Sequence, residues 1–137
     1  MQAENKAIVE RFYYEVINRG NIDLVEELVV DDYIEHGNQA GSGIEGFKKF
    51  FMGLAQAFPD LQITVEDLIA EGDKVAARVT VSATHQGVFM RTIQPTGKEV
   101  SFTGIDIFQL DNGKIIGRWN QRDLLGLMKQ LGVVNPP

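Results

Sequence analysis

The chain contains no cysteine among its 137 residues. This absence excludes disulfides, thiolate metal sites and cysteine nucleophiles, and it is typical of proteins that fold in a reducing compartment. A domain of this length can bury enough apolar surface to be stable without cross-links. We therefore expect a single domain over residues 1–137 with one hydrophobic core.

Clustered positive charge and long apolar runs are also lacking. The 13 Lys and Arg are outnumbered by 19 Asp and Glu, and Lys48-Lys49 is the only adjacent basic pair. Phosphate recognition requires a basic patch, so we expect no nucleic-acid partner. No segment approaches the roughly 18 apolar residues of a membrane span, and no apolar signal segment follows Met1. These features predict a cytoplasmic protein that begins at or near Met1 and has no membrane partner.

Several well-known functional motifs are missing. The sequence has no Walker-type phosphate loop, dinucleotide fingerprint, zinc-protease helix or serine nucleophile elbow. Its two histidines, His36 and His85, lie far apart, so we predict neither a metal nor a cofactor. The glycine-rich segment 37–43 follows an acidic stretch and lacks a lysine, which favours a flexible rim loop over a phosphate cradle.

The hydrophobic pattern divides the chain into a helical part and a strand part. Periodicity of 3.6 predicts helices over about 3–18, after Asn21, and over about 43–57 behind the capping box Ser42-Gly-Ile-Glu45. After Pro59 the period becomes two, predicting strands near 61–66, 75–82, 100–110 and 114–121. Asp111-Asn112-Gly113 predicts a hairpin turn, and Asp123 can cap a last helix. Helices followed by an antiparallel meander are typical of an α+β fold.

The last predicted hairpin carries the side chains that are best suited to acid/base chemistry. Asp106 stands between Ile105 and Ile107, so we expect its carboxyl group in a half-apolar cavity, where desolvation raises the pKa and makes it a usable acid or base. The alternative is that Asp106 pairs with an arginine, such as Arg118 or Arg78, for structure alone.

Strand alternation predicts which neighbours share a face with one another. In the second strand of the hairpin, Ile116, Arg118 and Asn120 are expected on one face, and Ile115 and Trp119 on the other.

A series of short motifs, in order over nearly the whole chain, resembles the SnoaL-like polyketide cyclases. These are Phe12-Tyr13, Asn18-x-Gly20-Asn21, Tyr33-Ile34-Glu35-His36, Phe58-Pro59-Asp60, Thr84-His85-x-Gly87, Pro95-Thr96-Gly97, Gly113-Lys114-Ile115 and Trp119-Asn120-x-x-Asp123. The resemblance implies the cone-shaped α+β barrel of the nuclear transport factor 2-like (cystatin-like) superfamily. In that fold N-terminal helices pack on a curved, mainly antiparallel sheet of four to six strands and enclose a pocket.

The resemblance also implies a function and an assembly. Members close a ring by intramolecular aldol condensation on a polyketide ester without a cofactor, and they are usually dimers or tetramers. We therefore expect an apolar or carbonyl-containing small molecule as ligand, and a homodimer or tetramer. The alternative is a non-catalytic small-molecule-binding domain of the same fold.

The site residues that the resemblance implies are altered in this chain. The family's acid/base aspartate, just after the tryptophan of the last long strand, corresponds to Asn120 here. The two assisting histidines correspond to Asp106 and His36, of which only His36 keeps the family's residue. We expect Asp106 to take over as the acid/base, with Asn120 and His36 as donors to an enolate oxygen.

Further side chains are candidates for substrate contact. These are Tyr33, Phe51, His85, Phe108, Arg118 and Trp119. Other interpretations stay open for some of them, since His85 can be structural, Trp119 can pack in the core or at a subunit interface, and Phe51 can belong to the core.

Overall fold

The computed structural model describes residues 2–36 and 43–134. These residues include four α-helices, namely Gln2–Arg11 (α1), Val25–Leu28 (α2), Gly43–Ala57 (α3) and Leu124–Leu131 (α4). A π-helical segment, Phe12–Asn18, continues α1, and a 3₁₀ turn, Ile22–Leu24, leads into α2. In the part of the chain that the structure describes, no helix is both long and apolar enough to cross a bilayer.

Within the described residues, five strands form one open sheet in the order β1-β5-β4-β3-β2. Their bounds are Val29–His36 (β1), Gln62–Glu71 (β2), Lys74–Thr84 (β3), Glu99–Asp111 (β4) and Lys114–Arg122 (β5). β1 runs parallel to β5, whereas the other neighbours are antiparallel. The predicted α+β architecture with a mainly antiparallel sheet is therefore confirmed, and the sheet does not close into a complete barrel.

The local sequence signals located most elements correctly. α3 has the predicted bounds, the turn at 111–113 joins β4 to β5, and the Asp123 side chain caps α4 by accepting from the Gly126 amide. The expectation that the first 57 or so residues are helical is wrong at β1. This strand pairs with β5, more than 80 residues later, and such non-local pairing leaves little local pattern. The segment 37–42, predicted as a rim loop, lies outside the described residues.

Irregular pairing curves the sheet around the helices. Register shifts interrupt the β1–β5, β2–β3 and β4–β5 ladders, and such bulges bend and twist a strand. At the shift next to Leu110, Leu110 pairs with Ile115 but Gln109 pairs with Gly117, so β5 holds one extra residue. The prediction that Ile115 and Trp119 share a face is therefore wrong: Ile115 is fully buried and Trp119 is exposed, because one extra residue in a strand reverses the alternation.

The π-helical segment brings two consecutive aromatic rings into the core. Phe12 and Tyr13 are both buried, and each packs against Phe108 of β4 with ring centroids 5.5 Å apart. The wider π-helical turn separates consecutive side chains by a smaller angle than an α-helical turn does, which helps both rings to face the sheet. The Tyr13 hydroxyl is thereby placed beside Asp106.

Candidate active site

A cavity of about 370 Å³ lies between α3, the concave face of the sheet and α4. Its apolar lining includes Phe47, Phe51, Leu61, Phe89, Phe102 and Leu127. Polar lining comes from one strand, β5, which contributes Arg118, Asn120, Gln121 and Arg122. The cavity is therefore an apolar space with one polar corner, an arrangement suited to holding an organic molecule in a fixed orientation.

The Asp106 carboxylate lies directly behind this polar corner and is fully buried. Its Oδ1 accepts from Asn120 Nδ2 at 2.8 Å and from Arg122 Nη1 at 2.6 Å. Its Oδ2 accepts from Tyr13 Oη at 2.5 Å and from Arg122 Nη2 at 3.0 Å. Both oxygen atoms are thus occupied by protein donors, and Asp106 is not among the residues that line the cavity.

The ionisation of Asp106 differs from the expectation. Burial acts to raise the pKa of this carboxyl group, but the Arg118 and Arg122 guanidinium groups and the Tyr13 hydroxyl outweigh it, so the pKa lies below its ordinary value. The raised pKa expected from the flanking isoleucines is therefore wrong. The isoleucine side chains lie on the other face of β4 and are largely exposed. Asp106 is therefore ionised near neutral pH, and its charge holds the side chains that donate to it in place.

A second buried ion pair adjoins the first. Glu35 of β1 accepts from Arg118 Nε at 3.1 Å and from Nη2 at 2.8 Å, and it also accepts from Tyr33 Oη at 2.5 Å. Arg118 Nη1 lies 4.0 Å from Asp106 Oδ2. Burial raises the pKa of Tyr33 and of Tyr13 far above the ordinary tyrosine value, so both hydroxyls stay protonated as donors.

The structure places some of the predicted site residues together. Phe51, Arg118 and Asn120 line the cavity, and Asp106 stands behind Asn120. Asp106 and Asn120 are direct cross-strand partners on the same face of the β4–β5 hairpin. The polar corner can therefore offer hydrogen-bond donors to a ligand oxygen.

His36 and Trp119 occupy the opposite face of the sheet. They are paired across β1 and β5, and their rings stack with centroids 4.2 Å apart and planes 9° apart. Neither lines the cavity, and Trp119 is 37% exposed. The structure does not bring His36 or Trp119 to Asn120's side of the sheet, because odd and even positions of a strand point to opposite faces.

The remaining predicted contacts lie in the core around the cavity. Tyr33 is buried and bonded to Glu35, and Phe108 is buried against Phe12 and Tyr13. His85 is fully buried, and its Nδ1 accepts from the Thr96 amide at 3.2 Å. None of these residues lines the cavity. They support its walls rather than forming its surface.

Sequence reasoning missed Arg122 and Glu35. Extending the alternation of Arg118 and Asn120 by two positions would have placed Arg122 on the same face. Glu35 was hidden because the segment around it was not recognised as a strand. Once β1 is known, Tyr33 and Glu35 fall on the inner face, opposite Arg118.

Gly104 makes room for the Arg122 side chain. The two residues are cross-strand partners, and a Cβ at Gly104 would lie 2.6 Å from Arg122 Cδ and Nη1 and 2.6 Å from the Gln121 carbonyl oxygen. Arg122 therefore crosses the bare α-carbon of Gly104 to reach Asp106, which lies two residues further along β4.

Gly104→Ala is expected to displace Arg122 and to destabilise the protein by about 1–3 kcal/mol, because the inserted methyl group overpacks the site. Urea denaturation measures the loss. Thr103→Ala, at an exposed position on the same strand, is the matched control and should change stability by less than about 0.5 kcal/mol. Equal stabilities of the two variants would show that Arg122 does not need this space.

Taken together, the polar corner consists of donors supported by buried carboxylates. The lining side chains that the structure describes include no carboxylate and no imidazole. Within 2–36 and 43–134, no group of three His, Cys, Asp or Glu residues is arranged to hold a metal ion. The site can stabilise negative charge on a ligand oxygen, as preorganised donors in a water-poor cavity do.

Solved structures with the same fold cover almost the whole chain. TsrD from Streptomyces laurentii is 31% identical, with 98% of each chain covered and a TM-score of 0.89. A candidate SnoaL-like polyketide cyclase from Jannaschia sp. CCS1 is 29% identical, with coverage of 98% of this chain and 95% of that chain and a TM-score of 0.88. AclR from Streptomyces galilaeus, described as a candidate hydroxylase, is 33% identical, with coverage of 99% and 89% and a TM-score of 0.87.

No curated protein matches the sequence significantly. The family model of the SnoaL-like polyketide cyclases matches residues 7–131. This match covers the polar corner, the described strands of the sheet and the described helices apart from the first five residues of α1. The solved relatives share the architecture over almost the whole chain. The chain belongs to the SnoaL-like polyketide cyclase family.

Proposed function

We propose that the cavity binds a largely apolar, carbonyl-containing molecule and promotes an aldol-type ring closure through an enolate. The observation that carries this proposal is the polar corner, where Asn120 and Arg118 face an otherwise apolar space. Arg118 Nη1 donates no hydrogen bond within the described part of the chain, and Asn120 has a second amide hydrogen beyond the one bonded to Asp106. Both groups are available to a ligand oxygen.

The reaction can be written with this chain's own donors. A substrate carbon next to a carbonyl loses a proton, and Arg118 and Asn120 stabilise the enolate oxygen that results. The enolate carbon then attacks a second carbonyl of the same molecule, forming a carbon–carbon bond, and the new alkoxide takes up a proton. Nucleophile and electrophile both belong to the substrate, so this reaction needs no cofactor.

The role proposed for Asp106 is to position these donors. A buried carboxylate with both oxygens occupied and a lowered pKa is a poor proton acceptor. Its charge instead fixes Asn120 and Arg122 at the cavity wall. The proton that leaves the substrate carbon passes to water at the cavity mouth in this scheme, which favours substrates whose carbon acid is flanked by two carbonyl groups.

Asn120→Ala is expected to lower kcat for ring closure by about a hundredfold or more, since removing one donor to a developing oxyanion costs this much in other enzymes. A panel of linear polyketide esters, separated by chromatography and identified by mass spectrometry, would show the cyclised isomer or its dehydrated form. Thr103→Ala, on the other face of the sheet, should leave kcat unchanged. Undiminished turnover by Asn120→Ala would remove Asn120 from the mechanism.

One observation favours a second candidate, a binding domain without chemistry. Among the described residues, no side chain that lines the cavity is a carboxylate or an imidazole, the groups that usually accept protons in enzymes. Such a domain would show ligand-dependent thermal stabilisation but no product with any member of the panel. The same experiment therefore distinguishes the two candidates.

We also propose that the chain forms a homodimer through the outer face of the sheet. The described strands expose large apolar side chains on this face, namely Ile34, Ile69, Ile105, Ile107 and Trp119. Ile107 lies directly between Trp119 and Ala76 in the ladder, so the apolar surface continues across several strands. A continuous apolar surface on a sheet is typical of an interface, and a second copy of the same face is self-complementary.

Ile107→Glu is expected to convert the dimer to a monomer, because each copy would bury a carboxylate without a partner. Analytical ultracentrifugation measures the mass. Val88→Glu, at a residue that is 46% exposed and lies outside the sheet, is the control and should stay dimeric. A monomeric wild-type protein would contradict the proposal, and a tetramer would require a second interface.

A further inference from the structure

The two arginines of the cavity are each neutralised by a buried carboxylate. Arg118 forms a two-point pair with Glu35, and Arg122 forms a two-point pair with Asp106. Glu35, Asp106 and Arg118 are almost completely buried, and neither carboxylate lines the cavity. The polar corner therefore has donors at its surface but no formal net charge.

This balance of charge depends on strands that are distant from one another in the sequence. Glu35 comes from β1 and reaches Arg118 across the parallel β1–β5 pairing, whereas Asp106 comes from β4 on the other side of β5. Charge pairs formed with little solvent between them interact strongly, so removal of either carboxylate leaves an uncompensated guanidinium group at the cavity wall.

We propose that Glu35 and Asp106 determine ligand specificity by charge, without touching the ligand. The balanced corner accepts a neutral carbonyl group and disfavours the carboxylate of similar shape, because a carboxylate must give up its hydration on entering and would lie close to Asp106 and Glu35 with no uncompensated positive charge to offset that loss. An enolate forms only after the neutral substrate has bound, and its delocalised charge is stabilised by the donor hydrogens of Asn120 and Arg118 rather than by a net charge. The inference rests on the proposed ligand site. It adds that buried residues behind the wall, rather than the wall itself, select the neutral form of the ligand.

The test uses two probes of similar shape, neutral 2-acetylnaphthalene and anionic 2-naphthoate, with Kd measured by calorimetry at pH 7. The wild type should bind the neutral probe at least about tenfold more tightly. Glu35→Gln and Asp106→Asn each remove one negative charge with little change in size. Each should shift the Kd ratio toward 2-naphthoate by about tenfold or more, provided that circular dichroism shows the variant to be folded.

Two controls separate this effect from others. Asp67→Asn removes the same charge from an exposed ion pair with Arg78, and its ratio should match the wild type. Tyr33→Phe removes the hydrogen bond to Glu35 without a charge change, and its ratio should also be unchanged. Equal affinity of the wild type for both probes, or an unshifted ratio in whichever carboxylate variant folds, overturns the inference.

The outcomes also distinguish this inference from the proposed reaction. Ring closure without charge selection would refute the specificity role and leave the reaction standing. Charge selection without ring closure on any ester would refute the reaction and leave the specificity role standing. If neither probe binds the wild type, the specificity inference fails, and the panel of esters then decides by itself whether the cavity is a catalytic site.

Discussion

Asp106→Asn is expected to lower turnover by about a hundredfold or more and to destabilise the protein by about 3–5 kcal/mol. The substitution removes the charge that pairs with Arg122 and compensates Arg118, and breaking a buried pair leaves an uncompensated charge. The asparagine amide would also direct hydrogens at the guanidinium donors. Steady-state kinetics and urea denaturation measure the two effects.

The pH dependence decides whether Asp106 acts as a base or as a positioning residue. Its pKa is lowered, so as a positioning residue it stays ionised and produces no acid limb in the wild-type kcat profile between pH 5 and 8. A base with a raised pKa would produce such a limb, and Asp106→Asn would abolish it. That result would contradict the role proposed here.

The contribution of Asp106 to the free energy of unfolding should also change with pH in a defined direction. Because the folded-state pKa of Asp106 lies below the unfolded value of about 3.9, its ionisation stabilises the protein fully above that pH and the stabilisation is lost as pH falls through the folded pKa. The difference in unfolding free energy between wild type and Asp106→Asn should therefore shrink below about pH 4. Asp67→Asn, in an exposed pair, should cost less than about 1 kcal/mol at any pH.

Asn120→Asp is expected to give the cavity a proton acceptor and to raise kcat for ring closure by about a hundredfold, the lower end of what general acid–base catalysis contributes. The new carboxyl group would lie where Asn120 Nδ2 now stands, 2.8 Å from Asp106 Oδ1. Two carboxylates at this distance share a proton, and one apparent pKa of the pair rises. The rate should therefore increase with pH through that apparent pKa.

The stability of Asn120→Asp gives an independent measure of the raised pKa. A carboxyl group that holds its proton more tightly when folded destabilises the protein progressively as pH rises above the unfolded value of about 3.9. The variant should therefore be closer to wild-type stability at pH 4 than at pH 8. Gln121→Glu adds a carboxylate at the next position of the cavity lining, and it should show no gain in rate. Absence of any gain with Asn120→Asp would favour the binding-domain candidate.

Local signals were sufficient for the elements whose stability is local. The capping box and hydrophobic spacing located α3, and Asp111-Asn112-Gly113 set the β4–β5 turn. The turn alone does not pair Asp106 with Asn120. Its register, continued without interruption from Asp111 and Lys114, would set Asp106 opposite Trp119, and the shift next to Leu110 moves the partner to Asn120. β1 was not foreseen, since its hydrogen bonds go to a strand at the far end of the chain.

The amino-acid sequence by itself determined the α+β class and the resemblance to the family, because periodicity, turn residues and ordered motifs act over short stretches. Tertiary structure decided the ionisation of Asp106. Its pKa depends on the balance between desolvation and nearby charges, and those partners come from separate elements, including Tyr13, which lies 93 residues earlier. A strand bulge and a parallel strand pairing bring Arg118, Arg122 and Glu35 to the same corner of the cavity. No local sequence pattern indicates contacts between residues so far apart in the chain.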